Sequence, residues 1–214
     1  MSLPALKVAA CFIGLASCTG LGILISNSPF FPKEKKISTP KVRDLLRDKG
    51  YSVMKSESSG WNTLLSAYKE GKNSDIVKFG SSSNISEEDL KRECASALED
   101  ILTSSYEKAK RWCVEPKKVS DKLKDVGLTP LKTEGVSGQD DSENWKKLEK
   151  EYVKEGSEKI EGSNISQTTN DTSWQGLRDA CKKLFESNPW DDSYDSSLKL
   201  SKKWCVSQAV PANN

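Results

Sequence analysis

Residues 90–114 read LKRECASALEDILTSSYEKAKRWCV, and residues 177–206 read LRDACKKLFESNPWDDSYDSSLKLSKKWCV. Both stretches open on Leu-x-x-x-Cys, and both close on a basic residue followed by Trp-Cys-Val. In the first, Leu90, Cys94, Leu98 and Ile101 recur at helical intervals, which predicts one apolar face; Leu177, Cys181 and Leu184, with Trp174 ahead of them, do the same in the second. Ser86-x-x-Asp89 has the form of a capping box that would start the first of these helices, with Asp in place of the usual Glu. A further helix over about 104–113 would end at Trp112-Cys113.

The similarity extends outward in both directions. Val42 to Gly50 (VRDLLRDKG) matches Val119 to Gly127 (VSDKLKDVG) at five of nine positions. Val42, Leu45 and Leu46 are helically spaced, and Gly50 suits a helix C-terminus. Trp61-x-x-Leu64-x-x-x-Tyr68 matches Trp145-x-x-Leu148-x-x-x-Tyr152, and Asn84-Ile85-Ser86 matches Asn164-Ile165-Ser166. The landmarks keep one order, and the second copy is longer by insertions before Trp145, Trp174 and Trp204. The sequence therefore predicts a mainly α chain with two tandem small helical modules, 38–115 and 116–208, and a disordered tail at 209–214. Short extended pieces are expected near Tyr51–Met54 and Ile76–Phe79.

Each module carries two of the cysteines at matching landmarks: Cys94 with Cys113, and Cys181 with Cys205. Duplication favours one disulfide within each module among the three connectivities open to four cysteines. Closing loops of this size is worth about 3 kcal/mol in the chain-entropy model, which matters to a chain only 35% hydrophobic. Other readings of the same residues are buried free thiols, a four-cysteine zinc site, which would lack the usual C-x2-C spacing, and a nucleophilic cysteine, which would lack a histidine partner. Disulfides imply a non-cytosolic compartment. Trp61, Trp112, Trp145 and Trp204 sit beside apolar positions or cysteines and are expected to be core landmarks rather than stacking platforms.

Residues 8–25, VAACFIGLASCTGLGILI, contain no charge over 18 positions. That length is near the minimum for a membrane helix. Segment 1–26 is expected to be an uncleaved signal-anchor, with a cleaved signal peptide or a lipoprotein as alternatives. In the last case Leu15-Ala16-Ser17-Cys18 would be a lipobox and Cys18 the lipidated residue. Residues 27–37 read as a tether, basic at Lys33, Lys35 and Lys36. The positive-inside rule argues against placing those lysines outside, so the expected topology, single-pass with the C-terminal part extracellular, rests on the cysteines.

The chain contains no histidine, which excludes Ser-His-Asp and Cys-His catalysis and histidine-containing zinc sites. Its net charge of +2 is spread with interspersed signs, unlike the one-sided basic face of a nucleic-acid binder. No cofactor-binding or metal-ligating motif is present, and no enzyme is expected. Asp191 and Asp192 beside Trp190, with Glu186, are the candidates for carboxylate hydrolysis, though Asp191-Asp192 reads better as a solvated turn. Asn84, Asn164 and Asn170 match glycosylation sequons, which matter only in a eukaryotic secretory pathway.

The opening Met-Ser-Leu-Pro-Ala-Leu-Lys before the apolar run, the Trp-led helix of each unit and the closing Lys-Trp-Cys-Val resemble large paralogous membrane and surface protein families of haemotropic mycoplasmas. The resemblance implies a wall-less bacterium living on red blood cells, and paralogues suggestive of surface variation. It brings no catalytic or binding residues. The expected function is a surface protein for host interaction or antigenic variation, with host-cell surfaces or other envelope proteins as partners and no nucleic acid. The alternatives are a structural or chaperone-like envelope protein and the carboxylate hydrolase.

Overall fold

The computed structural model describes residues 39–70, 78–80, 84–135, 141–154, 156–163, 165 and 172–212. Among them are eight helices and no strand. The first four are α1 (Val42–Asp48), α2 (Trp61–Lys69), α3 (Glu87–Glu99) and α4 (Thr103–Trp112). The second four are α5 (Val119–Asp125), α6 (Ser142–Tyr152), α7 (Trp174–Phe185) and α8 (Tyr194–Trp204), followed by a 3-10 turn at Ser207–Ala209. Two hydrophobic cores result, one from Val42 to Val114 and one from Val119 to Val206, within one compact unit. The expected signal-anchor, tether and Cys18 lie outside the described residues, and no helix among those described is long and apolar enough to cross a membrane.

The two modules repeat each other contact for contact. Helices α1 and α5 both end on a left-handed glycine, Gly50 at φ 71° and Gly127 at φ 77°. The next N–H in each, from Tyr51 and Leu128, reaches back to Leu46 and Leu123 at 2.9 Å, closing a Schellman motif. The following segment runs beside the module's end, where Val53 bridges Val114 and Pro130 bridges Val206, both antiparallel. These single bridges are what the expected extended piece at Tyr51–Met54 becomes; Ile76 lies outside the described residues. The indole N–H of Trp61 donates to the Lys55 carbonyl at 2.7 Å, and that of Trp145 to the Lys132 carbonyl at 2.9 Å. Tyr68 meets Trp112 edge-on at 4.8 Å, and Tyr152 meets Trp204 at 5.1 Å. Trp61, Trp112, Trp145 and Trp204 are all buried, each contributing several kcal/mol through its area alone.

Cys94 is bonded to Cys113, with Cα atoms 5.3 Å apart, and Cys181 to Cys205, at 5.6 Å. Cys113 and Cys205 lie at the C-caps of α4 and α8, one residue beyond the helices that were expected to contain them. That position lets each bridge tie α3 or α7 to the main-chain bridge immediately following.

Two expectations are corrected and two are refined. Ile101 does not share the buried face of α3: the helix stops at Glu99, and Ile101 is 54% exposed. The cause is Asp100, extended, whose carboxylate accepts the N–H of Ile101 at 2.7 Å and the Ser105 hydroxyl at 2.6 Å, opening α4 instead. Of the Asn-Ile-Ser landmarks only the isoleucines are comparable, because Asn164 and Ser166 lie outside the described residues. Ile85 and Ile165 each pack on their own core, but Ser86 caps α3 whereas the residue before α7 is Ser173. The tail does not begin disordered at 209, since Ala209 and Val210 pack on the second core. Finally, Asp191-Asp192 is a turn with the Asp192 side chain 56% exposed, as expected, but the insertion around it also docks: Trp190 packs on the first core, and Arg111 donates to the carbonyls of Trp190 and Asp191 at 3.3 and 2.8 Å.

Candidate functional site

The segment Tyr51–Glu57 is held at its start by the Tyr51 N–H on the Leu46 carbonyl at 2.9 Å, and at its middle by the Met54 N–H on the Cys113 carbonyl at 2.9 Å and the Trp61 indole on the Lys55 carbonyl. The Lys55 N–H donates to Ser58 Oγ at 3.1 Å, and Ser58 Oγ donates to Glu115 at 2.7 Å. Gly60 fits close against Pro116, where a Cβ would lie 2.9 Å from the proline ring. A fixed wall therefore faces α1 and α3 across a groove of about 570 Å³, a size typical of ligand pockets. Its floor is apolar, from Met54, Ala95, Leu98 and the Cys94 bridge. Its rim is basic: Arg43 and Arg47 from α1, Lys55 from the wall and Lys91 from α3, against one carboxylate, Glu57.

Two of these cations are committed elsewhere. Lys91 pairs with Glu87 at 2.6 Å, and Arg43 pairs with Glu99, which also takes Lys41. The hydrogen bond from Lys41, helped by the charge of Arg43, holds the Glu99 carboxyl below its ordinary range against the opposing effect of desolvation. Arg43 keeps a buried Nε without a hydrogen-bond partner. Arg47 and Lys55 form no ion pair with any described residue.

The second module has the same groove, about 400 Å³ between α5, α7 and the segment Pro130–Glu134. Here Lys182 stands where Ala95 stands in the first, and it crosses to Glu134 at 2.7 Å. Lys124 pairs with Asp121 at 2.9 Å, and Phe185 replaces Leu98 in the floor. The same frame is thus open and basic in one module and internally neutralised in the other.

A second polar cluster joins the modules. Lys122, 3% exposed, donates to the carbonyls of Lys49 and Gly50, with its amine 3.6 Å from the centre of the Tyr51 ring. Burial pushes this amine down to about 8 and the Tyr51 phenol up to about 12. Lys110 pairs with Glu107 at 2.8 Å and with Asp195 at 2.7 Å. Burial works against the Lys110 charge, but the bonds to Asp195 and Glu107 carry its value upward. Tyr194, buried and also shifted upward by burial, donates to the Lys117 carbonyl at 3.1 Å.

The residues singled out from sequence fall as follows. The four cysteines and four tryptophans form the frame of both modules. The carboxylates have separate engagements: Asp191 accepts the Asn188 N–H at 2.7 Å, Asp192 lies 3.4 Å from Arg111, and Glu186 pairs with Lys118. Among the described residues no group of Cys, Asp and Glu is arranged to hold a metal ion. The basic rim of Arg43, Arg47, Lys55 and Lys91 was not anticipated, because its members are dispersed over 49 positions in a charge-balanced stretch. The one available signal was the unequal match at Ala95 and Lys182 within the repeat. Comparison of the chain with protein-family models, curated proteins and solved structures gives no match.

Proposed function

We propose that the protein is a membrane-anchored surface protein whose double module is an interaction scaffold, used for host contact or for presenting a variable surface. Residues 8–25 would hold it in the membrane, with the modules outside. The observation that carries this reading is the pair of within-module disulfides, because such bridges persist in oxidising surroundings. The duplicated frame supports it as well, since it fixes the main chain through repeated contacts while leaving groove and insertion side chains to differ. The test is protease shaving of intact cells, with non-reducing peptide mapping. Cleavage within residues 39–212 without lysis, and recovery of the Cys94–Cys113 and Cys181–Cys205 peptides, is expected. Protection until the cells are lysed, or labelling of those cysteines by maleimide on native protein, would contradict it.

A further inference from the structure

We propose that the basic groove of the first module binds an acidic peptide segment; the assignment rests on the surface-interaction reading and names the ligand class of that site. Arg43 and Arg47 lie one helical turn apart on α1, about 6 Å along its axis. Lys55 and Lys91 approach from two other elements. With Arg43 and Lys91 held by Glu99 and Glu87, Arg47 and Lys55 are left to answer from two different elements, which a chain with several carboxylates can span and a single carboxylate cannot. Arginine also favours planar carboxylates, which it takes with two parallel N–H donors.

The floor argues for peptide over other polyanions. Met54, Ala95 and Leu98 offer aliphatic contact to side chains. Of the two aromatic residues in the lining, Trp61 shows only 4% of its surface, and Tyr51 is half-buried with the Lys122 amine 3.6 Å over its ring, so neither is an open platform for stacking a sugar ring or nucleobase. The second module supplies a built-in comparison. In its groove Lys124, the counterpart of Arg47, is paired with Asp121, and Lys182 crosses to Glu134, so an incoming carboxylate would have to displace existing pairs where Arg47 has none among the described residues.

The test uses the full oxidised chain in nonionic detergent and a fluorescein-labelled hexaglutamate peptide, read by anisotropy. Saturable binding that weakens as salt is raised is expected, and a hexaglutamine peptide should fail to bind. The double charge reversal Arg47→Glu with Lys55→Glu, at two exposed positions, should weaken binding by about tenfold or more. The matching reversal Lys124→Glu with Lys132→Glu should change it by less than about twofold. Equal losses from both reversals, or no loss from the first, would overturn the proposal. So would equal affinity for heparin, an oligonucleotide or phosphatidylserine vesicles, which would mark a generic polyanion surface. Adherence of the chain to red cells without peptide binding would overturn the groove assignment and leave the surface reading standing.

Discussion

The first and second modules share a frame down to single hydrogen bonds and differ in what the frame presents. The N–H of Val42 donates to the Asp100 carbonyl at 2.8 Å, and that of Val119 to the Ser187 carbonyl at 3.0 Å. Lys41 pairs with Glu99 as Lys118 pairs with Glu186. Leu131 N–H reaches the Cys205 carbonyl just as Met54 N–H reaches that of Cys113. Against this identity stand an open basic groove beside a neutralised one, a capped helix beside one without a side-chain cap bond, and a short α3–α4 connection beside one that docks on the neighbouring module. The repeated contacts are mostly directed at main-chain atoms, so side chains elsewhere were free to diverge without loss of the fold.

The largest test of that equivalence is to remove one bridge at a time. Cys94→Ser with Cys113→Ser should cost about 3 kcal/mol, and Cys181→Ser with Cys205→Ser about the same, because the closed loops of 19 and 24 residues differ little in entropy. Denaturant unfolding that shows one pair costing much more than the other would break the comparison. Next comes the docking contact. Arg111→Ala removes the donor to two carbonyls and should cost about 1–3 kcal/mol. Its counterpart Lys203→Ala removes a half-exposed contact to Glu158 at 3.7 Å and an amine 5.1 Å over the Trp204 ring, and should cost less, about 1 kcal/mol. Splitting of the single melting transition in Arg111→Ala would sharpen the contrast further.

The cap gives a smaller difference. Ser86 accepts the Asp89 N–H, while the Asp89 carboxylate accepts the Ser86 N–H, a complete capping box. Ser86→Ala should destabilise by about 1 kcal/mol in denaturant unfolding.

The smallest effect is a pH slope. The Gly50 carbonyl accepts from the Lys122 amine, whereas the Gly127 carbonyl accepts from the Gln208 amide at 3.4 Å, which does not titrate. Lys122 loses its proton at about 8 when folded but near 10.5 when unfolded. Between those values the unfolded chain binds the extra proton, so stability gains a contribution that rises with pH; below about 8 both states are protonated and the contribution is flat. Tyr51 adds an opposing trend only above its ordinary value of 10.0. Thermal midpoints from pH 8 to about 10 should therefore show a positive slope that Lys122→Met removes and Gln208→Met leaves in place.

Much of the frame was legible because it is written in periodic apolar residues and in cysteines. Trp145, Leu148 and Tyr152 declare one helix face in sequence, and all three are buried. The pairing of Cys94 with Cys113 followed from matched landmarks. The misses have a common physical character. Ile101 carries the right spacing for the α3 face, yet one carboxylate at Asp100 ends the helix before it. Trp190 and Arg111 meet through main-chain carbonyls, which any sequence supplies and none advertises. The groove is a matter of which cations lack a nearby carboxylate in space, and linear charge balance conceals that. Asn-Ile-Ser served through its isoleucine, since Ile165 packs on its core as Ile85 does, while the residue that precedes the next helix is Ser86 in one module and Ser173 in the other.

The bridges also have a mechanical consequence. Each covalently bypasses the stretch between its cysteines, 19 residues in the first module and 24 in the second. A chain pulled from its two ends could not pay out those segments, which at full extension would measure ~65 and ~80 Å. Tension arriving at Lys41 would first meet the Glu99 pair and the Val42 N–H on Asp100, and could peel α1 away. The load path then runs through the sulfur atoms, bypassing the α3–α4 connection and the loop between α7 and α8. Under shear the protein would thus lengthen in shorter steps than its residue count implies, with the α3–α4 and α7–α8 loops carrying no load while the bridges hold.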